Sequence, residues 1–339
     1  MDRVAQLGVY AGLAAVADAG ADRHLDPDRC GVFLGLGLNG AATYHREFGR
    51  FLVGKSLHPL FLPLAMPSAA AANLAMRLGW YGPAVTVNTA CASIANAIGE
   101  AARLVAAGEL DMALAGGAET PLDPLILTAF AGIGALANGK EGRVSACRPF
   151  DLDRTGMIMG EGAACLVLER LSSARRRGVA PHALLAGYAR NGDAYHLVAP
   201  RPDGDKARWC MAEALRDAGV AAAQVSHVNA HGTATKANDT AEARAIAAVF
   251  GQAAPPVTAT KSTIGHLIGA SGAAEAVACL LALKHRQIPP TASYVTPDPE
   301  CPLDVVANEP RPLPPGVVLS SSFAFGGHNA VLVFAAPPR

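Results

Sequence analysis

Apolar residues recur at helical spacing from 4 to 19 and stop at Gly20, which predicts a helix there. A strand is expected at 30–34, running into the glycine-rich turn Gly35-Leu36-Gly37-Leu38-Asn39-Gly40. A polar segment, 40–58, separates it from a helix at about 67–78. Val85-Thr86-Val87 reads as a buried strand, Thr89-Ala90-Cys91-Ala92-Ser93 as a small-residue corner, and the Ala-rich stretch to about Ala107 as a helix. A short buried strand at 110–119, an apolar loop at 121–136, a polar loop opened by Arg148-Pro149-Phe150-Asp151, a strand at 163–170 and a basic helix end at 172–178 follow. A second series starts near Ala183, with a helix at about 205–218, a strand at 225–229, a helix at 239–250, a strand at 257–260, a helix at 270–285 and a hairpin over 317–334. Strand-helix-strand order predicts parallel sheets with helices on their faces. The two series predict two similarly built α/β halves, 1–180 and 181–339.

Composition narrows the class. The 339 residues are 51% hydrophobic and 17% charged, enough for a large core. With 28 basic and 28 acidic residues, the formal net charge of +0 offers no nucleic-acid footprint and no acidic tail. The seven cysteines are scattered, odd in number and never spaced C-x-x-C, which argues against a disulfide framework or a zinc ribbon and for a reducing cytosol. No charge-free apolar run reaches roughly 18 residues and no secretory leader pattern opens the chain, so neither a membrane span nor export is expected.

Candidate chemistry begins with Cys91, placed by the pattern at a helix N-terminus, where the helix dipole and unpaired N–H groups favour a thiolate. A lone cysteine in apolar surroundings is more often an inert core residue. The turn 35–40 reads literally as G-x-G-x-x-G, but a dinucleotide fold wants an acidic residue roughly 20 positions on, where the chain has Leu57-His58-Pro59-Leu60. A flexible glycine turn beside a pocket fits better. Three stretches in the second half each follow a predicted strand: Asn229-Ala230-His231-Gly232-Thr233-Ala234-Thr235, Lys261-Ser262-Thr263-Ile264-Gly265-His266 and Ser322-Phe323-Ala324-Phe325-Gly326-Gly327-His328-Asn329. His227 and His231, four apart, could mimic a helical metal pair, but they lie on a strand ending at Gly232 with no third ligand, so no metal is expected. Taken singly, Lys261 would be a solvated lysine and Glu275 a helix-face charge.

Together with the corner at Cys91, these stretches resemble the β-ketoacyl-acyl carrier protein (ACP) synthases of the KAS I/II type, in the thiolase-like superfamily. Arg148-Pro149-Phe150-Asp151 followed by Gly160-Glu161-Gly162 matches the same pattern. The resemblance runs over essentially the whole chain and implies a thiolase-like, five-layered α-β-α-β-α fold. It implies decarboxylative condensation of acyl-ACP with malonyl-ACP, giving 3-oxoacyl-ACP. By resemblance Cys91 is the nucleophile, backbone N–H groups of Cys91 and Phe325 form an oxyanion hole, and His231 and His266 serve decarboxylation. Lys261 supplies a positive charge with Glu275 as its partner, and Thr233 and Thr235 hold the phosphopantetheine arm. Leu38 and Phe325 gate the acyl tunnel, and Phe130, with the loop 128–137, belongs to a mobile active-site loop. No tightly bound cofactor is implied, the substrates being carried on the 4′-phosphopantetheine of ACP. The implied partners are ACP and a second subunit, as a homodimer or a heterodimer, with the strand at 84–88 pairing across the two-fold.

Departures from the pattern carry their own expectations. Members of the family usually open with a strand and turn of the type V-V-V-T-G-x-G, some tens of residues before a segment matching Met1-Asp2-Arg3. The resemblance places that strand in the centre of the first sheet, so without it parallel neighbours would lack ladder partners. The loop Ala131-Gly132-Ile133-Gly134 lacks the arginine that often meets ACP, leaving Arg50, Lys55 and Lys140 as basic candidates. Leu197-Val198-Ala199 stands where a Thr/Ser pair is expected, and His328 where threonine is commoner. These changes point toward a specialised pathway making polyketide, aryl-polyene or other unusual chains. Two alternatives stay open: a noncatalytic subunit like the chain-length factors, which usually lack the cysteine, and a thiolase or type III enzyme, whose partner sets differ from His231, Lys261 and His266.

Overall fold

Parity along the strands sorts the buried apolar side chains into three cores, and these cores define the layers. The computed structural model describes residues 1–21, 25–138 and 147–338. The first half contains α1 (Arg3–Asp18), β1 (Cys30–Gly35), α2 (Ala41–Leu52), α3 (Phe61–Ala65), α4 (Ala69–Leu78), β2 (Ala84–Val87), α5 (Ser93–Ala107), β3 (Met112–Glu119), α6 (Pro124–Gly132), β4 (Gly162–Glu169) and α7 (Leu171–Arg176). The second contains β5 (Leu184–Gly192), α8 (Asp205–Asp217), β6 (Val225–Asn229), α9 (Lys236–Phe250), β7 (Val257–Thr258), α10 (Lys261–Ile264), α11 (Ser271–His285), the short pair β8 (Gln287–Ile288) and β9 (Arg311–Pro312), β10 (Val317–Ala324) and β11 (His328–Ala335).

Two sheets result, ordered β2-β1-β3-β4 and β5-β11-β10-β6-β7. On the outer face of the first, Val32, Leu34, Met112 and Leu114 pack against Val4, Val9 and Leu74 of α1 and α4. The alternate residues Phe33, Ala113 and Ala115 turn the other way, onto α5 and α11. The same two helices meet Ala330, Leu332 and Phe334 of β11, while Val331 and Val333 face the outer core under α8 and α9. The central helices are rich in alanine, with Ala92, Ala95, Ala97, Ala101, Ala273, Ala276 and Ala282 all buried, so two helices fit between two sheets at close spacing. The layers therefore run α-β-α-β-α, as the resemblance implied.

Several expectations need correction. The sheets are mixed, not purely parallel: β2, β1 and β3 are parallel, as are β10, β6 and β7, but β4 runs antiparallel to β3 and β11 antiparallel to both β10 and β5. Glu119 at the end of β3 lies opposite Gly162 at the start of β4, which is what makes this pair antiparallel. β2 is an exposed edge strand, with Val85 40% exposed, because no described strand lies beyond it. The polar segment after Gly40 holds α2, and the expected loop at 121–136 holds α6, which starts at the N-cap Asp123 with Pro124 behind it. The first sheet also has no gap at its centre, because β1 and β3 pair directly over six residues. Its second edge, opposite β2, is β4. A groove of about 440 Å³ lies between β4 and β5, lined by Ala15, Val105, Leu185 and Leu280 among others.

Candidate active site

Cys91 lies in a 3₁₀ turn, Ala90–Ala92, that leads from β2 into α5. Its neighbour Ala90 holds a left-handed backbone, φ +49°, a costly conformation for a residue with a side chain. Side chains from the helix fix this corner: Ser93 Oγ accepts from the Thr89 N–H (2.9 Å) and donates to Ala90 O (2.6 Å), and Asn96 Nδ2 donates to Thr89 Oγ1 (2.7 Å). Gly35 lets the helix start approach β1, since a Cβ there would lie 2.3 Å from Ile94 N.

The second half supplies the facing groups. His231 follows β6, and Glu242 of α9 accepts from the N–H groups of His231 (2.7 Å) and Gly232 (2.8 Å). Lys261 is fully buried, and its Nζ donates to His231 O (2.7 Å), to His231 Nδ1 (3.1 Å) and to the Glu275 carboxylate from α11. His266 is held by the strand-like segment at 158–160, its N–H donating to Ile158 O (2.7 Å) and its carbonyl accepting from Gly160 N–H (3.0 Å). Its Nδ1 faces the Ile268 N–H (3.2 Å) and the Ser271 hydroxyl (2.9 Å), while its Nε2 lies 3.1 Å from Cys91 Sγ. Both rings thus use Nδ1 as acceptor, from Lys261 in one case and from a main-chain N–H in the other. That hydrogen-bond pattern assigns the proton to Nε2 in each, making both imidazoles donors.

Electrostatics follow from burial. Desolvation pushes the Cys91 thiol up to about 12, with Lys261 pulling the other way, so the thiolate expected from the helix N-terminus is not the resting form. Burial, then the Lys261 charge, holds His231 and His266 well below the ordinary imidazole range, which keeps both neutral. Burial raises Glu275 and the Lys261 charge opposes it. Donor atoms of Cys91, His231 and His266 lie within 4.8 Å of one another, the spacing of a soft-metal site. The ammonium of Lys261 beside His231 repels a cation there.

Cys91 also belongs to an apolar cluster with Ala135, Met157, Met159 and Ile268, against which Leu38, Phe130 and Ala324 pack. Phe325 stacks on Phe130 with ring centroids 6.2 Å apart. Thr233 is buried and Thr235 half-buried, with their hydroxyls 2.8 Å apart at the start of α9. Leu197 O accepts from the Gly326 N–H (2.7 Å), tying the loop of Leu197-Val198-Ala199 to the glycine turn, while His328 is exposed. Arg50 and Lys55 are exposed, and Lys140 lies outside the described residues.

Some participants escaped the sequence pattern. Arg154, read as part of a polar loop, is buried and bonded to Asp298, with Asp239 3.5 Å away. Asp239 in turn accepts from the Phe150 N–H (2.8 Å), so this network clamps the 148–154 loop beside the site. Glu119 and Glu242 are buried carboxylates, each pushed up to about 7 by burial and each satisfied by backbone N–H groups. The signal for Glu119 was a charge closing an otherwise apolar strand; nothing in the helical pattern marked Glu242.

Family models agree with this geometry. The model described as Beta-ketoacyl synthase, N-terminal domain, matches residues 1–174, and Beta-ketoacyl synthase, C-terminal domain, matches 182–295. The 3-oxoacyl-[acyl-carrier-protein] synthase 2 of Staphylococcus aureus is 41% identical, with 98% of this chain and 84% of the relative covered. The protein of that name from Synechocystis sp. is 42% identical, covering 98% and 82%. Among solved structures, AntDE:AntF, described as a type II PKS acyl-carrier protein in complex with its ketosynthase bound to the hexaketide, superposes at a TM-score of 0.95, 32% identical over 99% of this chain and 85% of that one. A beta-ketoacyl synthase from Burkholderia phymatum gives 0.93 and 36%, over 100% and 83%. With its Cys-His-Lys-His arrangement in a five-layered fold, this chain belongs to the beta-ketoacyl synthase family.

Proposed function

We propose that this chain condenses an acyl-ACP with malonyl-ACP, with loss of CO₂, to give a 3-oxoacyl-ACP two carbons longer. The observation that carries the reading is the Cys91 Sγ to His266 Nε2 contact of 3.1 Å, beside a second imidazole backed by Lys261. First, Cys91 sulfur attacks the acyl thioester carbonyl. The C–S bond to the carrier breaks, and the departing pantetheine sulfur takes up the proton that Cys91 gives up. His266 Nε2–H donates to the sulfur as its charge develops. Malonyl-ACP then loses CO₂, and the electron pair of the broken C–C bond passes to an enolate oxygen. Two neutral Nε2–H donors, His231 and His266, stabilise that charge without reorganising. Lys261 fixes the His231 tautomer, and Glu275 balances its charge. The enolate carbon finally attacks the acyl-Cys91 carbonyl, whose oxyanion meets the N–H groups of Cys91 and Phe325. Collapse of this intermediate expels the Cys91 thiolate. Thr233 and Thr235 bind the pantetheine arm, and Leu38, Phe130 and Phe325 line the acyl path.

ACP as carrier is supported by the name of the Staphylococcus aureus relative and by the carrier-ketosynthase complex among the structural neighbours. A chain-length-factor role is less well supported, because the cysteine, both histidines and the lysine are present and in contact. The exposed edge strand β2 and its apolar surroundings support a dimer through that edge. The chain divides near residue 180, each half built around its own sheet. Seven free thiols support the cytosol, and among the described residues no helix is long and apolar enough to cross a membrane. The test is intact mass after mixing with a panel of acyl-ACPs. One added acyl group, lost in Cys91→Ser, is expected; no adduct from any donor with folded protein overturns the reading.

A further inference from the structure

Glu119 ends β3, is fully buried, and has no basic partner among its hydrogen bonds. Its carboxylate is satisfied by three main-chain donors from two separate turns. Oε2 accepts from Gly37 N–H (2.6 Å) and Gly269 N–H (3.2 Å), and Oε1 accepts from Leu38 N–H (3.1 Å). The turns close around it so tightly that a Cβ on Gly37 or on Gly269 would each sit 2.8 Å from Oε2. One turn carries Leu38, which packs on the apolar cluster around Cys91; the other carries Ile268, two residues after His266 and a member of the same cluster.

We infer that Glu119 is a positioning residue that sets the acyl-chain range of the site by pinning the Leu38 turn to the His266 turn. The inference rests on the ketosynthase reading, since it supposes that the acyl chain passes between the side chains of this cluster. Its physical basis is geometric. Leu38 keeps its place against the Cys91 cluster only while its backbone is held, and the hold on Leu38 N–H is a single bond to Oε1. Burial of a carboxylate with no cation opposite is costly and persists only where N–H groups are aimed at it.

Glu119→Gln separates these contacts. With its carbonyl oxygen in the place of Oε2, glutamine keeps the bonds from Gly37 and Gly269 but sets an NH₂ group against the Leu38 N–H, freeing that residue alone. Acylation of Cys91 by short and long straight-chain acyl-ACPs is followed by intact mass, and kcat/KM is taken for each donor. The long-to-short ratio is read within one sample, so a partly unfolded preparation does not move it. Glu119→Gln is expected to raise that ratio by about tenfold, in the same direction as Leu38→Ala. The double variant is expected to match Leu38→Ala alone, as two changes acting on one turn do not add. Glu119→Asp, which keeps the charge but draws it back from both turns, serves if Glu119→Gln does not fold. A wild-type ratio in these variants, or fully multiplicative effects in the double variant, overturns the inference. Absence of acylation in the wild type overturns the ketosynthase reading itself.

Discussion

Desolvation decides the resting state of Cys91. Burial pushes the Cys91 thiol up to about 12, with Lys261 as the main opposing charge, although a helix begins two residues later. Its alkylation by iodoacetamide should therefore climb about tenfold per pH unit from 7 to 10, following the thiolate fraction, and a plateau already reached at pH 7 would count against this picture. Lys261 is the other costly residue. It sits with Glu275 in a fully buried pair, so removing one partner strands the other. Lys261→Ala should lose about 3–5 kcal/mol of stability, read as a fall in melting temperature, while Lys261→Met with Glu275→Gln should recover much of it. Equal losses in both would show that the charge pair is not what matters. Sequence marked both residues only through the motif around them, because a lysine and a glutamate fourteen apart carry no pattern of their own.

At the scale of elements, the proposed nucleophile Cys91 is placed by a close approach between α5 and β1. Gly35 ends β1 directly under the helix start. Gly35→Ala should push that start away, cost about 1–3 kcal/mol, and slow Cys91 acylation at least about tenfold; unchanged acylation with a normal melting curve would refute the role. The same scale explains which elements were legible. α5 and β6 match the apolar pattern almost to the residue, since each buries one continuous face or both. α2 and α6 were missed because much of their apolar surface points outward, with Phe48, Phe51 and Leu125 all exposed, so their periodicity does not report burial in this chain. α6 nevertheless carried its start signal in Asp123-Pro124.

For the whole molecule, β2 and the segments of α2 and α3 carry exposed apolar side chains, Val85, Phe51, Leu57 and Leu60 among them. An edge strand with unpaired backbone and an exposed apolar side chain is a surface built to be covered. Val85→Asp should convert a dimer to monomer in sedimentation velocity at micromolar concentration. A wild-type chain that is already monomeric there would show that this edge serves something else. The edge at β4 differs in kind, being a groove inside the molecule and not a flat face. Its counterpart in the second sheet is filled by β5.

The linear chain by itself determined the α/β class and the order of most elements, because these depend on local period, while its short motifs, through the family they resemble, pointed to Cys91, His231, Lys261 and His266 as the proposed reactive set. It could not determine the strand order that makes β2 an edge, the left-handed turn at Ala90, or the buried roles of Glu119, Glu242 and Arg154. Nor could it give the charge state of Cys91. Each of these depends on how far a group is removed from water and on which backbone N–H groups meet it, and both are set only when distant segments come together.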